Sequence, residues 1–214
     1  MHYRCNIGDQ IHNSKIRLCF FRMLSNLANQ ILVLNSDSKQ YVEEYTNKKS
    51  RRVANFINVE FIIKQPKRIS TTIRTVLYIG HVQNAKGTKE MVEVAKLLPE
   101  ISFILVGPVS TEIELLRLPD NIKLLGAVKR EKVKVLLDEA DVFLFPSYSE
   151  GFANALLEAM ARGLPVITTP VGANADMIEQ FGGILVRVKS VSDIFGALSK
   201  LEPYDLREEM SLWN

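Results

Sequence analysis

Apolar and polar positions divide the chain into two unlike parts. From residue 76 onward, short apolar runs alternate with longer segments in which apolar residues recur every three or four positions. The short runs lack strict apolar–polar alternation, so they predict strands covered on both faces. They lie at Val76–Ile79, Phe103–Val106, Val142–Phe145, Pro165–Thr168 and Ile184–Val186, with a weaker run at Ile122–Leu125. This strand–helix alternation predicts an α/β fold, a doubly wound, Rossmann-like parallel sheet.

The first 75 residues have a different pattern. Apolar residues between Lys15 and Ala28 fall on one stripe, which predicts an amphipathic helix. Ile31–Leu34 predicts a short strand, and Ser36 is a candidate cap for a helix over Lys39–Tyr45.

Two polar segments suggest the domain boundaries. The basic run 48–52 is expected to be a solvated turn, and the polar stretch 64–72 a linker. We therefore predict an N-terminal segment with its linker at 1–75, the Rossmann-like domain at 76–201 and a tail at 202–214.

Composition excludes several classes of protein. The 214 residues are 47% hydrophobic and 24% charged, as is ordinary for a globular chain. The 27 Lys and Arg barely exceed the 24 Asp and Glu, too small an excess to predict nucleic-acid binding. Cys5 and Cys19 are expected to be free thiols, and no metal site is predicted. Without a secretion signal or an apolar run of about 20 residues, the chain is expected to be cytoplasmic.

Parallel sheets of this type bind ligands at the carboxyl ends of their strands, so the loops there are the candidate sites. The strand Val76–Ile79 is followed by Gly80, which permits a sharp turn, and then by Lys86. Lys86 lies close to the start of a predicted helix near Thr88, where unpaired N–H groups favour a phosphate. The alternative, an ordinary loop with a surface lysine, stays open at this point.

The loop after Val142–Phe145 has two carboxylates. Glu150 precedes a predicted helix, and Glu158 lies two turns further on, about 80° past two full rotations. Both carboxylates are therefore expected on one side, where ionised acids accept hydrogen bonds from sugar hydroxyls. The alternative is that Glu158 is an exposed helix residue and that Glu150 only complements the helix dipole.

These residues resemble a known family. The run Glu150–Ile167 is similar to the Glu-x7-Glu signature of group-1 (family 4) retaining glycosyltransferases, which have the GT-B fold. Thr169–Ile178 and Gly80–Gly87 fit the same pattern, and Ile57–Glu60 fits it more weakly. The resemblance covers about residues 28–201 and implies the C-terminal, donor-binding half of a GT-B fold, with a nucleotide-sugar-binding domain at 76–201. It also implies that 1–75 is a partial N-terminal segment and that 202–214 is a truncated tail.

The resemblance also implies roles for the matching positions. Glu150 would be the catalytic residue beside the transferred sugar, Glu158 would bind the ribose hydroxyls, and Lys86 would contact the diphosphate. The donor-binding residues implied are Gly80, His81, Lys86, Val128, Gly151, Phe152, Ala153 and Glu158, with Val128 beside the base. Family members work without a metal or other cofactor, and the nucleotide sugar is the substrate.

Two departures from the family pattern change the expectations. His81 stands where the family usually has an arginine, and a histidine is mostly neutral at pH 7. We therefore expect diphosphate affinity to rise below about pH 6.5, and titration of the His81→Ala variant tests this. The chain also offers one α/β domain, so a separate N-terminal acceptor-binding domain is expected, without which the chain binds nucleotide but transfers no sugar.

The resemblance implies hexosyl transfer with retention in surface polysaccharide or glycoconjugate synthesis. The chain would associate peripherally with the inner face of the membrane and bind no nucleic acid. An alternative is a catalytically inactive nucleotide-binding fragment or subunit that requires a separate acceptor domain. A hexose-nucleotide epimerase has the same architecture but would need acid or base groups at the sugar beyond Glu150.

Overall fold

The N-terminal part of the structure is a small helix–strand unit. The computed structural model describes residues 14–62 and 72–200. The elements of this unit are α1 (Lys15–Leu27), β1 (Ile31–Val33), α2 (Ser36–Thr46), β2 (Ser50–Arg52) and a 3-10 turn at Val59–Phe61. The two strands form a parallel pair, and α2 packs against α1 and β2.

Six parallel strands form the central sheet of the described residues. They are β3 (Thr75–Ile79), β4 (Ser102–Val106), β5 (Ile122–Gly126), β6 (Val142–Phe145), β7 (Val166–Thr168) and β8 (Ile184–Leu185). Their order across the sheet is β5-β4-β3-β6-β7-β8, which is the doubly wound order. The direction of winding reverses between β3 and β6, so the loops that follow these two strands border the crevice where such sheets bind ligands.

Helices connect and cover these strands. They are α3 (Thr88–Leu97), α4 (Thr111–Glu114), α5 (Arg130–Glu139), α6 (Asn154–Ala161), α7 (Asn174–Phe181) and α8 (Val191–Lys200). Helix α3 packs against α8, and α6 packs against α7. All four residues of β6 are buried, and Leu77 and Phe103 are fully enclosed. The continuous apolar runs are thus covered on both faces, and the predicted fold class is confirmed.

Two local predictions in the N-terminal segment were wrong. Helix α2 begins at Ser36, and its cap is Asn35, whose Oδ1 accepts a 2.8 Å hydrogen bond from the Ser38 N–H. The predicted solvated turn contains β2, because the backbone of residues 50–52 pairs with β1 while the side chains of Arg51 and Arg52 stay exposed.

Several predictions fall on residues that the structure does not describe. Cys5, most of the predicted linker at 64–72 and the tail at 202–214 lie outside the described residues, so the domain boundaries stay predictions. In the two described ranges, no helix is long and apolar enough to cross a membrane. The same ranges hold no cluster of three or more His, Cys, Asp or Glu side chains placed to bind a metal.

Helix α1 presents an apolar face to solvent. Its stripe of large apolar side chains is at least half exposed for the most part, with Leu27 at 76%. The exposed side chains are Ile16, Phe20, Met23, Leu24 and Leu27. We expect this face to cause self-association of the isolated chain, which light scattering would detect.

Candidate functional site

The loops after β3 and β6 meet at the carboxyl edge of the sheet. The Tyr148 N–H donates a 3.0 Å hydrogen bond to the carbonyl of Ala85 and joins the two loops. Gly87 lies against Pro146 in the left-handed region, at φ 77°, and a Cβ there would overlap the Pro146 carbonyl. The close approach of the two loops therefore depends on the absence of a side chain at Gly87.

The loop after β7 packs against the loop after β6, around Glu150. Gly172, at φ 58°, lies so close to the Glu150 carbonyl that a Cβ would overlap its oxygen. The Ala173 N–H donates to the Gly151 carbonyl at 3.1 Å, and the Thr169 hydroxyl donates to the Ser147 carbonyl at 2.5 Å. The residues around Glu150 are thus fixed by contacts with two neighbouring loops.

Lys86 and Glu150 form an ion pair between the first two loops. The Lys86 Nζ lies 2.5 Å from the Glu150 Oε1, which also accepts a 2.7 Å hydrogen bond from the buried Ser147 hydroxyl. The two charged side chains are only 22% and 13% exposed. Because little water reaches this pair, its electrostatic coupling is stronger than that of a surface ion pair. The two residues that the sequence singled out from separate loops are therefore in direct contact.

Gly80 and His81 begin the first loop. The Gly80 N–H donates to the Val106 carbonyl at 2.9 Å, and the Tyr78 hydroxyl donates to the His81 carbonyl at 2.8 Å. Burial and the negative charge of Glu150 raise the pKa of the Tyr78 hydroxyl, so it stays a hydrogen-bond donor at neutral pH. The His81 side chain is exposed.

The start of helix α6 provides unpaired donors beside Glu150. Ala153 is the N-cap of this eight-residue helix and has no side-chain capping bond. In the two described ranges, the backbone N–H groups of Gly151, Phe152 and Ala153 donate to no protein acceptor. Unpaired N–H groups at a helix start, next to the Lys86 cation, are the arrangement that binds a phosphate.

Glu158 lies within α6 and is mostly covered. Its side chain is 19% exposed, so the alternative of an exposed surface glutamate was wrong. Burial raises the pKa of the Glu158 carboxyl, and the positive charge of Arg130, whose Nη2 lies 3.3 Å from Oε1, partly opposes this. The guanidinium of Arg130 also lies 4.9 Å above the ring of Phe61.

The structure places the two carboxylates beside different cations, and only Glu158 lies within the helix. Helix α6 begins at Asn154, so Glu150 lies outside it and a rotation per residue does not apply to that position. Glu150 contacts Lys86, whereas Glu158 contacts Arg130. The two acids therefore form two separate anionic positions, one before the helix and one along it.

The sequence did not reveal every residue of the site. Val128, which was singled out, is half-buried after β5, at the same edge of the sheet. Ser147 and Arg130 were missed, although both contact a predicted site residue. Ser147 belongs to the same loop as Glu150, so its polar side chain was a usable signal. Arg130 lies 28 residues before Glu158, and only the packing of α5 near α6 brings them together.

Comparison with family models identifies the family of this chain. The model of the group 1 glycosyl transferases matches residues 59–211, which include all three loops of the site. The chain belongs to the group 1 glycosyltransferases. The family resemblance proposed on Glu150, Glu158 and the Gly80–Gly87 loop is confirmed at this level.

Two curated relatives place this glycosyltransferase chain among longer proteins. It is 30% identical over 133 residues to a 2-deoxystreptamine N-acetyl-D-glucosaminyltransferase of Niallia circulans, covering 58% of this chain and 34% of the relative. It is 30% identical over 146 residues to the amylovoran biosynthesis glycosyltransferase AmsK of Erwinia amylovora, covering 58% and 36%. The chain thus spans about a third of the length of the curated relatives it matches.

A solved structure supports the fold. HepE of Anabaena, crystallised with UDP and glucose, superposes with a TM-score of 0.74 at 18% identity, covering 94% of this chain and 63% of HepE. At this identity the similarity shows the shared fold alone.

Proposed function

We propose that the chain is the donor-binding half of a retaining, family 4 glycosyltransferase with the GT-B fold. It would bind a nucleoside diphosphate sugar and serve hexosyl transfer in surface polysaccharide or glycoconjugate synthesis. The main observation is the meeting of Lys86, Glu150 and the unpaired N–H groups at the start of α6, at the point where the sheet reverses its winding.

Each group of the site would bind one part of the donor. The diphosphate would lie across the start of α6, where Lys86 and the N–H groups of Gly151, Phe152 and Ala153 neutralise its charge. Fixed positive charge at this position also stabilises the diphosphate as it leaves the sugar. Lys86 would turn from Glu150 to the phosphates, which leaves the Glu150 carboxylate to accept hydrogen bonds from the sugar hydroxyls.

The remaining residues would hold the nucleoside. Glu158 has one oxygen near Arg130 and would accept hydrogen bonds from the ribose hydroxyls. Val128 would flank the base from the loop after β5, and Gly80 and His81 would border the phosphates from the loop after β3. These contacts need no metal ion or other cofactor, so a chelator is expected to leave nucleotide binding unchanged.

The acceptor would bind to a further α/β unit on the N-terminal side. The exposed apolar stripe of α1 supports this, because such a face is normally covered by a partner. The β1–β2 pair supports it too, since two strands of three residues are too few for a stable sheet. Peripheral association with the inner face of a membrane would bring lipid-linked acceptors to this unit.

Calorimetry with nucleoside diphosphates tests the donor site. We expect the chain to bind at least one of UDP, GDP or ADP with micromolar affinity and to show no sugar transfer alone. Transfer is expected when the acceptor half of a longer relative is supplied in trans. Absence of binding to all three nucleotides would contradict the proposed function, and binding without transfer in trans would leave the inactive nucleotide-binding subunit as the better interpretation.

The ionisation of Glu158 gives a second test. We expect the affinity for UDP to fall as the pH is lowered. The fall should begin at a higher pH than it would if Glu158 had the usual pKa of a glutamate. Burial raises the pKa of Glu158, so the carboxylate that accepts the ribose hydroxyls is protonated earlier on acidification. The titration is done in the His81→Ala background, so that the role of Glu158 is tested without the imidazole at position 81. A Glu158→Gln variant with the same acid dependence would contradict this role.

A further inference from the structure

The N-terminal unit contacts the donor site through one buried amide. Asn35, between β1 and α2, is only 1% exposed. Its Nδ2 donates a 2.9 Å hydrogen bond to the carbonyl of Gly151, and its Oδ1 accepts a 2.8 Å bond from the Ser38 N–H. One side chain thus caps helix α2 and binds the loop that carries Glu150.

A second contact holds Asn35 in place. Asp176, in the first turn of α7, accepts a 2.9 Å hydrogen bond from the Ser36 N–H through Oδ2. The same oxygen lies 3.1 Å from Arg52 Nη1, which also donates to the Ser36 hydroxyl at 3.0 Å. Ser36, the residue next to Asn35, is therefore held against the Rossmann-like domain by its own N–H and by Arg52, which both contact Asp176.

The hydrogen bond to the Gly151 carbonyl acts on one of the backbone N–H groups that would bind the diphosphate. This carbonyl belongs to the same peptide group as the Phe152 N–H. Because a trans peptide is planar, its oxygen and its N–H point in opposite directions. Two donors hold this oxygen, the Asn35 amide and the Ala173 N–H at 3.1 Å. Fixing the oxygen therefore fixes the direction of the Phe152 N–H.

We infer that Asn35 is a positioning residue of the donor site, which aims the Phe152 N–H at the diphosphate by holding the Gly151 carbonyl. This rests on the proposed function of the α6 start as the diphosphate site. The N-terminal unit thus acts on the donor site directly, and its packing against the Rossmann-like domain is coupled to the affinity for the nucleotide sugar. Capping of α2 does not require an asparagine, because serine and aspartate cap helices equally well. The asparagine amide accepts from Ser38 through Oδ1 and donates to Gly151 through Nδ2. A serine has no second polar atom to reach Gly151, and an ionised aspartate has no donor.

The test compares two serine variants of the full chain. Asn35→Ser keeps a capping oxygen for α2 but is too short to reach the Gly151 carbonyl. We expect about tenfold weaker binding of UDP, in line with the loss of one oriented donor to a charged ligand. Binding of uridine, which has no phosphate, is expected to stay the same. The matched control is Asn55→Ser, because Asn55 also joins the two units, through a 2.9 Å bond to Asn154 Oδ1, without touching Gly151.

Each outcome separates the inference from the proposed function. If the unaltered chain binds none of UDP, GDP and ADP, the donor site itself is refuted, and if it binds only GDP or ADP, that nucleotide and its nucleoside replace UDP and uridine in the comparison. If the unaltered chain binds UDP and the Asn35→Ser variant binds it with the same affinity, Asn35 does not position the N–H groups that bind the diphosphate. The same conclusion follows if the variant loses affinity for uridine and for UDP in equal proportion. Should Asn35→Ser fail to fold by circular dichroism, Asn35→Asp is used, since it keeps both the cap and the side-chain size. It too must lose affinity for UDP selectively, or the inference fails.

Discussion

Replacement of Lys86 by alanine is expected to weaken UDP binding by about 30-fold, the equivalent of about 2 kcal/mol. Two effects act in the same direction. The substitution removes a cation that is largely shielded from water and lies beside the start of α6. It also leaves the Glu150 carboxylate without its lysine partner, so a negative charge faces the incoming diphosphate. Isothermal titration calorimetry with UDP and with uridine measures the change.

A neighbouring lysine is the control for this experiment. Lys89 lies in the first turn of α3, three residues after Lys86, and its side chain is exposed. Lys89→Ala removes the same net charge from the same end of the helix, so it reports the effect of overall charge alone. We expect a change in UDP affinity of less than about twofold for Lys89→Ala, because exposed charges are screened by water and salt. Equal losses for the two variants would show that Lys86 makes no specific contact with the diphosphate.

Replacement of Gly172 by alanine is expected to lower the free energy of unfolding by about 3 kcal/mol or more. An alanine is strained at φ 58°, and its Cβ would overlap the Glu150 carbonyl oxygen, which is backbone and cannot rotate away. The loop that carries Glu150 must then move, so UDP binding is expected to fall as well. Urea unfolding followed by circular dichroism measures the stability, and calorimetry measures the affinity.

The Gly126→Ala variant is the control that shows the cost of backbone strain without atomic overlap. Gly126 has a similar φ of 66°, but a Cβ there would meet no atom within 4 Å. Gly126→Ala is therefore expected to cost only the conformational penalty of about 1 kcal/mol. If the two alanine variants are equally stable, the contact between Gly172 and Glu150 does not hold the loop in place.

The strands and the fold class followed from the sequence because a strand covered on both faces needs a continuous apolar run. All six predicted runs from Val76 onward form strands of one parallel sheet. The prediction failed for a strand whose side chains are polar and mostly exposed. The basic residues 50–52 form β2 because β1 pairs with their backbone, and side-chain polarity gives no information about that pairing. In the same way Asn35 displaced Ser36 as the cap of α2, because two adjacent polar residues can both serve as a cap.

The amino-acid sequence by itself determined the six strands of the central sheet, the loops at their carboxyl ends, and the two acids and the lysine singled out in those loops. These depend on local periodicity and on residue type, which are written along the chain. The tertiary structure alone decided the partners. It paired Lys86 with Glu150 across 64 residues, placed Arg130 beside Glu158, and brought the Asn35 amide to the Gly151 carbonyl across 116 residues. Such contacts depend on how whole elements pack, and the residues involved have no shared sequence pattern to reveal them.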